Sequence, residues 1–528
     1  MSAAEETADA AWRPRANPWL IATVVTMAAF MEILDTTIVN VSLPHIAGSL
    51  SSSYDQATWT LTSYLVANGI VLPISGWIGR VIGRKRYFLI SIIMFSAFSF
   101  LCGSAVSLGE LVFFRLMQGF FGGGLQPNQQ AIVLDVMPPE QRGRAFGVVA
   151  VAVVFAPIIG PTLGGWITDS YSWRWVFFIN VPIGIIAFFL VNRLVDDPPW
   201  VLRSRAQGRH FDLPGLLLIA LAIGCTQIML DRGQDADWFS SPMIRTLAFA
   251  AALGWIGAIF WLTEARRPIV NLAVFTDRNF ALGCLMVLAL FSVLYSSGVL
   301  IPQLAQVYLG YTALLAGLVL SPGGLVVLFF IPIVTRVLMP RVQTRLIIAF
   351  GFFVLGLAML YTSHLAPDLN FRTLMLMRMA QSAGLAFLFV PISTSAYLTL
   401  PRSLNTDASA LYVLIRNIAG SAAISISTAM VTAGTQANMA ALATNLSPGN
   451  EAYRSTLATV SAALAGLGRA PAQIPSDALG WLYQTLNSQA AFVAYRNVFI
   501  DYAVVAFAII PLAFLFSPVR AGRMRGGE

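Results

Sequence analysis

Hydrophobic residues come in long unbroken runs between Trp19 and Phe516, separated by short stretches that hold most of the charge. A bilayer core takes about 20 apolar residues per helix. On that measure the runs predict fourteen spans, at 19–43, 57–78, 88–107, 110–136, 144–168, 175–195, 213–231, 243–263, 280–303, 311–338, 344–363, 372–400, 407–433 and 495–516. The runs are continuous rather than alternating, which excludes the strands of a closed barrel. The fold class is therefore an all-α polytopic membrane protein. The one long polar interruption, 434–494, is rich in Ala, Ser, Asn, Gly and Pro. Within it Leu457, Val460, Leu464 and Leu467 share a helical face. That predicts either a short helix lying on its own protein or the membrane surface, or a contact with a partner outside the membrane.

Composition narrows the class further. Of the 528 residues, 57% are hydrophobic and 11% charged, against about 25% charged in soluble proteins. A water-soluble fold is excluded, and so is a disordered chain, which needs low hydrophobicity and high charge. An even number of spans puts both termini on one side. With that side cytoplasmic, most of the 32 basic residues fall in cytoplasmic segments. These include Arg80, Arg84, Lys85, Arg86, Arg203, Arg205, Arg209, Arg266, Arg267, Arg402, Arg520, Arg523 and Arg525. Only Arg174, Arg232, Arg245, Arg372, Arg454, Arg469 and Arg496 fall on the other side. This is the positive-inside pattern. It accounts for the net charge of +8 without a nucleic-acid partner. Residues 1–18 have no removable leader pattern. Cys102, Cys225 and Cys284 sit in apolar runs, and His45, His210 and His364 are scattered, so neither a disulfide framework nor a metal site is expected. No nucleophile–base pair occurs at membrane depth, so an enzyme is not predicted.

The chain repeats itself. Arg115-Leu-Met-Gln118-Gly119, followed by Pro127, has its counterpart in Arg378-Met-Ala-Gln381-Ser382, followed by Pro391. Pro73-Ile74 with Arg86 matches Pro332-Ile333 with Arg345 at the same spacing. Spans 1–6 then correspond to spans 9–14, with spans 7–8 inserted. The expected organisation is a cytoplasmic N-terminus (1–18), a six-helix bundle (19–195), a linker with two extra spans (196–279), a second six-helix bundle (280–516) and a cytoplasmic C-terminus (517–528). A substrate path is expected between the halves near mid-membrane.

Several residues break the apolar pattern. Glu32 and Asp35 are three apart in span 1 and share a face. An ionised carboxylate at that depth costs several kcal/mol unless it meets water or a cation. Asp35 suits a proton carrier, with Glu32 second; permanent pairing with an arginine for assembly is the alternative. Arg115 is the natural counter-charge, unless it snorkels to the surface. Gln118, one turn on, reaches the same face. Arg378 is the equivalent of Arg115 in the second half. Arg416, beside Asn417, either binds an anionic group or holds helices together. Span 5 carries Pro157, Gly160, Pro161, Gly164 and Gly165, a helix built to bend and to pack closely. Phe30, Asn40, Tyr64, Asn68, Gln118, Tyr295, Gln303, Gln381 and Arg416 are cavity-wall candidates by face and depth.

Taken together, these stretches resemble the major facilitator superfamily, and within it the fourteen-span drug:proton antiporter branch of EmrB/QacA type. The resemblance is carried by Leu34-Asp35-Thr-Thr-Ile-Val-Asn40-Val-Ser-Leu-Pro44, Arg115-x-x-Gln118-Gly119, Gly160-Pro161-x-x-Gly164-Gly165, Trp173-Arg174-Trp175 through Asn180-Val-Pro182-Ile-Gly184, and Leu230-Asp231-Arg232-Gly233. It covers residues 19–516. It implies multidrug efflux from the inner membrane: alternating-access export of hydrophobic or amphipathic compounds, driven by the proton gradient with no cofactor. Export of a single metabolite, fatty acid or siderophore is the narrower alternative, and a transporter-like sensor without turnover is another. The resemblance makes Asp35 the proton carboxylate, Arg115 its modulator and Gly160–Gly165 the antiporter motif. In a Gram-negative host it implies a periplasmic EmrA-like adaptor and a TolC-like outer-membrane channel, with 434–494 as a contact. One position departs from the superfamily: Arg80 stands where the loop after span 2 usually has Asp. The Asp-mediated charge lock is therefore not expected, and another contact must hold the outward-facing state.

Overall fold

Within lipid a backbone can satisfy its own polar groups only in helices or closed barrels, and the apolar runs here take the first course. The computed structural model describes residues 12–202, 212–265, 268–366, 369–401, 404–444, 446–447 and 449–517, and no strand occurs among them. Most of the expected terminal segments lie outside the described residues, as do Arg203, Arg205, Arg209, His210, Arg266, Arg267, Arg402, Arg520, Arg523 and Arg525.

The first half consists of α1 (Pro18–Ser49), α2 (Trp59–Ile82), α3 (Arg84–Ser104), α4 (Leu108–Gly122), α5 (Leu125–Val136), α6 (Arg142–Ser170) and α7 (Trp175–Leu194). Next come α8 (Leu213–Arg232) and α9 (Pro242–Glu264). The second half comprises α10 (Arg278–Val307), α11 (Leu314–Arg341), α12 (Thr344–Thr362), α13 (Phe371–Ala396), α14 (Asn405–Ala443), α15 (Glu451–Gly466) and α16 (Ile474–Ala513). Local chemistry sets several starts. The Asn17 side chain caps α1, Ser107 caps α4, Asp212 caps α8 and Asp277 caps α10, each supplying an acceptor to a free first-turn N–H.

Twelve helices among the described residues are long and apolar enough to cross a membrane, and α6, bent by 44° between its 142–157 and 159–170 parts, makes a thirteenth if taken as one span. The full count of fourteen is not reached. The expected 110–136 span is two helices, α4 and α5, parted at Gly123 and Gly124. A Cβ on Gly123 would come within 2.8 Å of the Asn68 carbonyl oxygen on α2, so the bare backbone is what lets these helices meet. α5 is also polar for a span, with Gln126, Asn128, Gln129 and Gln130 all buried.

The expected outer segment 434–494 is mostly helix. The last two spans run far beyond 407–433 and 495–516, to Ala443 at the end of α14 and from Ile474 at the start of α16. An alanine-rich stretch favours continued helix after Gly434. Between them α15 packs on α16. Its Leu457, Val460 and Leu464 are half-buried and Leu467 is exposed, so this face rests on its own protein.

The halves meet along two seams, α6 against α11 and α2 against α14. Under the repeat α2 corresponds to α11 and α6 to α14, so the seams are each other's counterparts. The inserted helices pack on each other, and α8 also lies against both α2 and α14. Asp231 of α8 accepts from Thr62 of α2, and Gln227 donates to Ser421 of α14 at 3.0 Å. At the basic-loop end the α2–α14 seam is closed by charge. Arg80 pairs with Asp407 of α14, while Arg84 pairs with Asp135 and donates to Thr406 at 2.6 Å. A contact of the opposite polarity thus stands where the superfamily's Asp-mediated lock would be: the last turn of α2 supplies the cation and α14 supplies the acid.

Candidate functional site

Helix α1 carries both deep acids, and the rotation between positions three apart sends them different ways. Asp35 is fully buried against α4 and α7. It accepts from Arg115 Nη1 at 2.6 Å, Gln118 Nε2 at 3.1 Å and Asn180 Nδ2 at 2.7 Å. Arg115 is also fully buried, and its Nε donates to the Thr60 carbonyl at 3.1 Å. It does not snorkel. Taking one partner from such a pair leaves an uncompensated buried charge, at a cost of about 3–5 kcal/mol.

Glu32, one turn earlier, faces the other way. Its oxygens accept from Tyr64 Oη and Asn68 Nδ2, both at 3.0 Å, and from Gln126. All three partners are neutral. The Tyr64 ring also lies beneath Arg115, with the guanidinium carbon 4.2 Å from the ring centre. Within cation–π range, Tyr64 therefore joins the two acidic sites.

A cavity of about 820 Å³ lies between the halves, bordered by both. It reaches Pro44 and His45 near the end of α1, Asp169 near the end of α6 and Val307 at the end of α10. It therefore opens at the end of the molecule opposite the Arg80–Asp407 closure. Of the residues picked out in the sequence, Glu32, Asn40, Tyr64, Asn68, Arg115, Tyr295, Gln303 and Arg378 border it, together with Pro157, Pro161 and Gly165 of α6. Asp35 does not border it. Phe30 is half-buried and packs against the core. Gln118 is turned to Asp35 and Arg115. Gln381 bonds Arg378 and Thr362. Arg416 lies beside Asn417 and over the Phe291 ring, 5.2 Å from its centre.

The α6 motif fixes the cavity's rim. A Cβ on Gly160 would collide with the Thr37 hydroxyl, and one on Gly164 would come within 2.6 Å of the Ile38 carbonyl oxygen. Both glycines let α6 press on α1 beside the acids, while the bend places Pro157 and Pro161 on the cavity wall. No group of His, Cys, Asp or Glu among the described residues is arranged to hold a metal ion.

Three polar partners were not anticipated as site residues: Asn180 for Asp35, Gln126 for Glu32 and Asp407 for Arg80. Each is a polar residue inside or at the mouth of an apolar run. That signal marks them as special without saying which partner they meet.

A sequence profile described as the Major Facilitator Superfamily matches residues 25–424. The chain is 35% identical to "Multidrug export protein EmrB" of Escherichia coli (strain K12) over 505 residues, covering 95% of this chain and 96% of that protein. It is 32% identical to "Fatty acid resistance protein FarB" of Neisseria gonorrhoeae, covering 93% and 94% respectively. Among solved structures, the human organic anion transporter MFSD10 (TETRAN) aligns with a TM-score of 0.56 at 13% identity, over 93% of this chain and all of that one. At that identity the likeness speaks for the fold alone.

Proposed function

This chain belongs to the major facilitator superfamily, and from that premise we propose that it is a proton-driven exporter of hydrophobic and amphipathic compounds, acting in the inner membrane with both termini in the cytoplasm. The observation that carries the reading is the placing of two acids on one helix: Glu32 on the wall of a cavity shared by the halves, and Asp35 sealed behind it on Arg115. On this orientation the cavity opens outward and the Arg80–Asp407 end closes the cytoplasmic side.

A proton arriving from outside neutralises Asp35 and frees Arg115. Arg115 shares Tyr64 with Glu32, so its release alters the cavity wall where the substrate rests. Export then requires that proton and substrate compete, directly or through Arg115, and that each differs in affinity for the two access states. A wall of mixed aromatic, amide and aliphatic groups accepts many shapes. The resemblance to EmrB at 35% identity supports broad drug export. The resemblance to FarB supports the narrower fatty-acid reading as second choice. In a Gram-negative host, the extension made by α14, α15 and α16 is the proposed contact for a periplasmic adaptor leading to an outer-membrane channel.

The test is transport by the full-length protein in proteoliposomes under an imposed pH gradient, against a panel of chemically unlike lipophilic dyes plus a fatty acid. Movement of several dyes that stops when the gradient is collapsed is expected. Movement of the fatty acid alone would select the narrower reading, and gradient-independent movement would overturn proton coupling.

A further inference from the structure

The internal repeat sets two arginine sites side by side for comparison. In the first half Arg115 Nη1 donates to Gln118 at 2.8 Å and to Asp35 at 2.6 Å. In the second half Arg378 Nη1 donates to Gln381 at 3.1 Å and to Ser297 Oγ at 2.8 Å. Arginine, glutamine and the third partner on the first helix of each half recur. The difference is chemical: a hydroxyl stands in the second half where a carboxylate stands in the first.

Arg378 is thus a cation without an acid. It is 1% exposed, and no carboxylate pairs with it among the described residues. Its Nε is buried without a hydrogen-bond partner among them; Arg115 likewise leaves its Nη2 without one, but the charge of Arg115 is met by Asp35 and that of Arg378 by no acid. Arg416 is another buried cation in the same half. No carboxylate lies within ion-pair distance of it among the described residues, although it acts electrostatically on Glu32, and its Nη1 has no hydrogen-bond partner there. Both arginines touch α10, Arg378 at Ser297 and Arg416 at Phe291. Unpaired charge at membrane depth is costly and marks a binding pathway more often than a packing device. Arg378 also borders the central cavity, as does Gln303, whose Oε1 has no partner among the described residues.

We propose that Arg378 anchors an anion subsite in the second-half wall of the cavity, which takes the acidic head of an amphipathic anion while the tail lies against the apolar wall. Guanidinium forks suit carboxylate and sulfonate heads. Ser297 and Gln381 already hold the side chain in place, so little ordering is needed on binding. The two halves then divide the work: the Asp35 site is neutralised from within and answers to protons, and the Arg378 site is neutralised by cargo. This rests on the export reading for the cavity's purpose, but not for its chemistry.

The test is equilibrium binding to the full-length protein in nanodiscs of zwitterionic lipid, with no gradient. The probes share one tail: decane-1-sulfonate, decan-1-ol and decyltrimethylammonium. Wild type is expected to bind the sulfonate at least tenfold more tightly than the alcohol. Arg378→Gln should lose that preference and leave the alcohol unchanged. Ser297→Asp supplies the acid from within. It should also abolish sulfonate preference, with thermal stability kept or raised, so the question survives if Arg378→Gln fails to fold. Equal sulfonate affinity in wild type and both variants would overturn the subsite, as would equal weakening of all three probes. Because binding is read without a pH gradient, failure here is separable from failure of proton-driven transport in proteoliposomes.

Discussion

The guanidinium of Arg115 lies over the Tyr64 ring at 4.2 Å, and the hydroxyl of that same tyrosine donates to Glu32 at 3.0 Å. One side chain therefore touches both the sealed ion pair and the cavity acid. On the proposed coupling, a shift of Arg115 reaches Glu32 through this rigid ring.

Tyr64→Phe should separate the two contacts. The ring stays under Arg115 while Glu32 loses one donor, at about 1 kcal/mol of stability. Substrate binding should persist and gradient-driven export should fall severalfold. Tyr64→Ala removes both contacts and should abolish export. Parallel binding and proteoliposome measurements on the two variants check this, and equal export by both would show that the ring has no coupling role.

Asp35→Asn keeps the shape of the clamp and removes its charge. The variant should insert and fold, bind substrate and fail to move it against a gradient. Glu32→Gln, by contrast, should change which compounds bind. Full export by Asp35→Asn would move the proton site to Glu32.

Arg80 and Asp407 form the closure between the halves at the basic-loop end. Charge-assisted bonds of this kind contribute about 2 kcal/mol, which corresponds to about a thirtyfold shift in the balance of access states. Arg80→Asp should increase labelling of cysteines placed on the closed side. The exchange Arg80→Asp with Asp407→Arg should restore protection. Absence of rescue by the exchange would mean that Arg84 and Thr406 hold the seam without this pair.

Gly164→Ala places a methyl group 2.6 Å from a backbone oxygen of α1. Backbone cannot turn aside as a side chain can, so overpacking of about 1–3 kcal/mol is expected. It should appear as a lower melting temperature in detergent. Gly165→Ala is the control, because the nearest atom there is a side-chain methyl of Val41 at 3.7 Å.

Much of this was legible in the sequence because lipid simplifies the code. Apolar run length gave the helices, and a polar residue within a run stood out by its cost. Arg115 and Asp35 could be paired in advance because few charges were available at that depth. The break at Gly123–Gly124 was not legible, since an apolar run reads the same whether its helix is whole or parted. Nor was the divergence of Glu32 and Asp35. Three residues apart means a shared face, yet about 60° of rotation was enough to put one acid on the cavity and the other behind it. The length of α14 and α16 was hidden by an alanine-rich stretch that is neither apolar enough for a span nor polar enough for a loop.

The inserted pair has a bearing on symmetry. Helix α8 lies across the α2–α14 seam and bonds to both of its helices, while the equivalent α6–α11 seam has no such cover among the described residues. The inserted pair therefore breaks the pseudo-symmetry of the repeat, and one flank of the molecule is a helix layer thicker than the other.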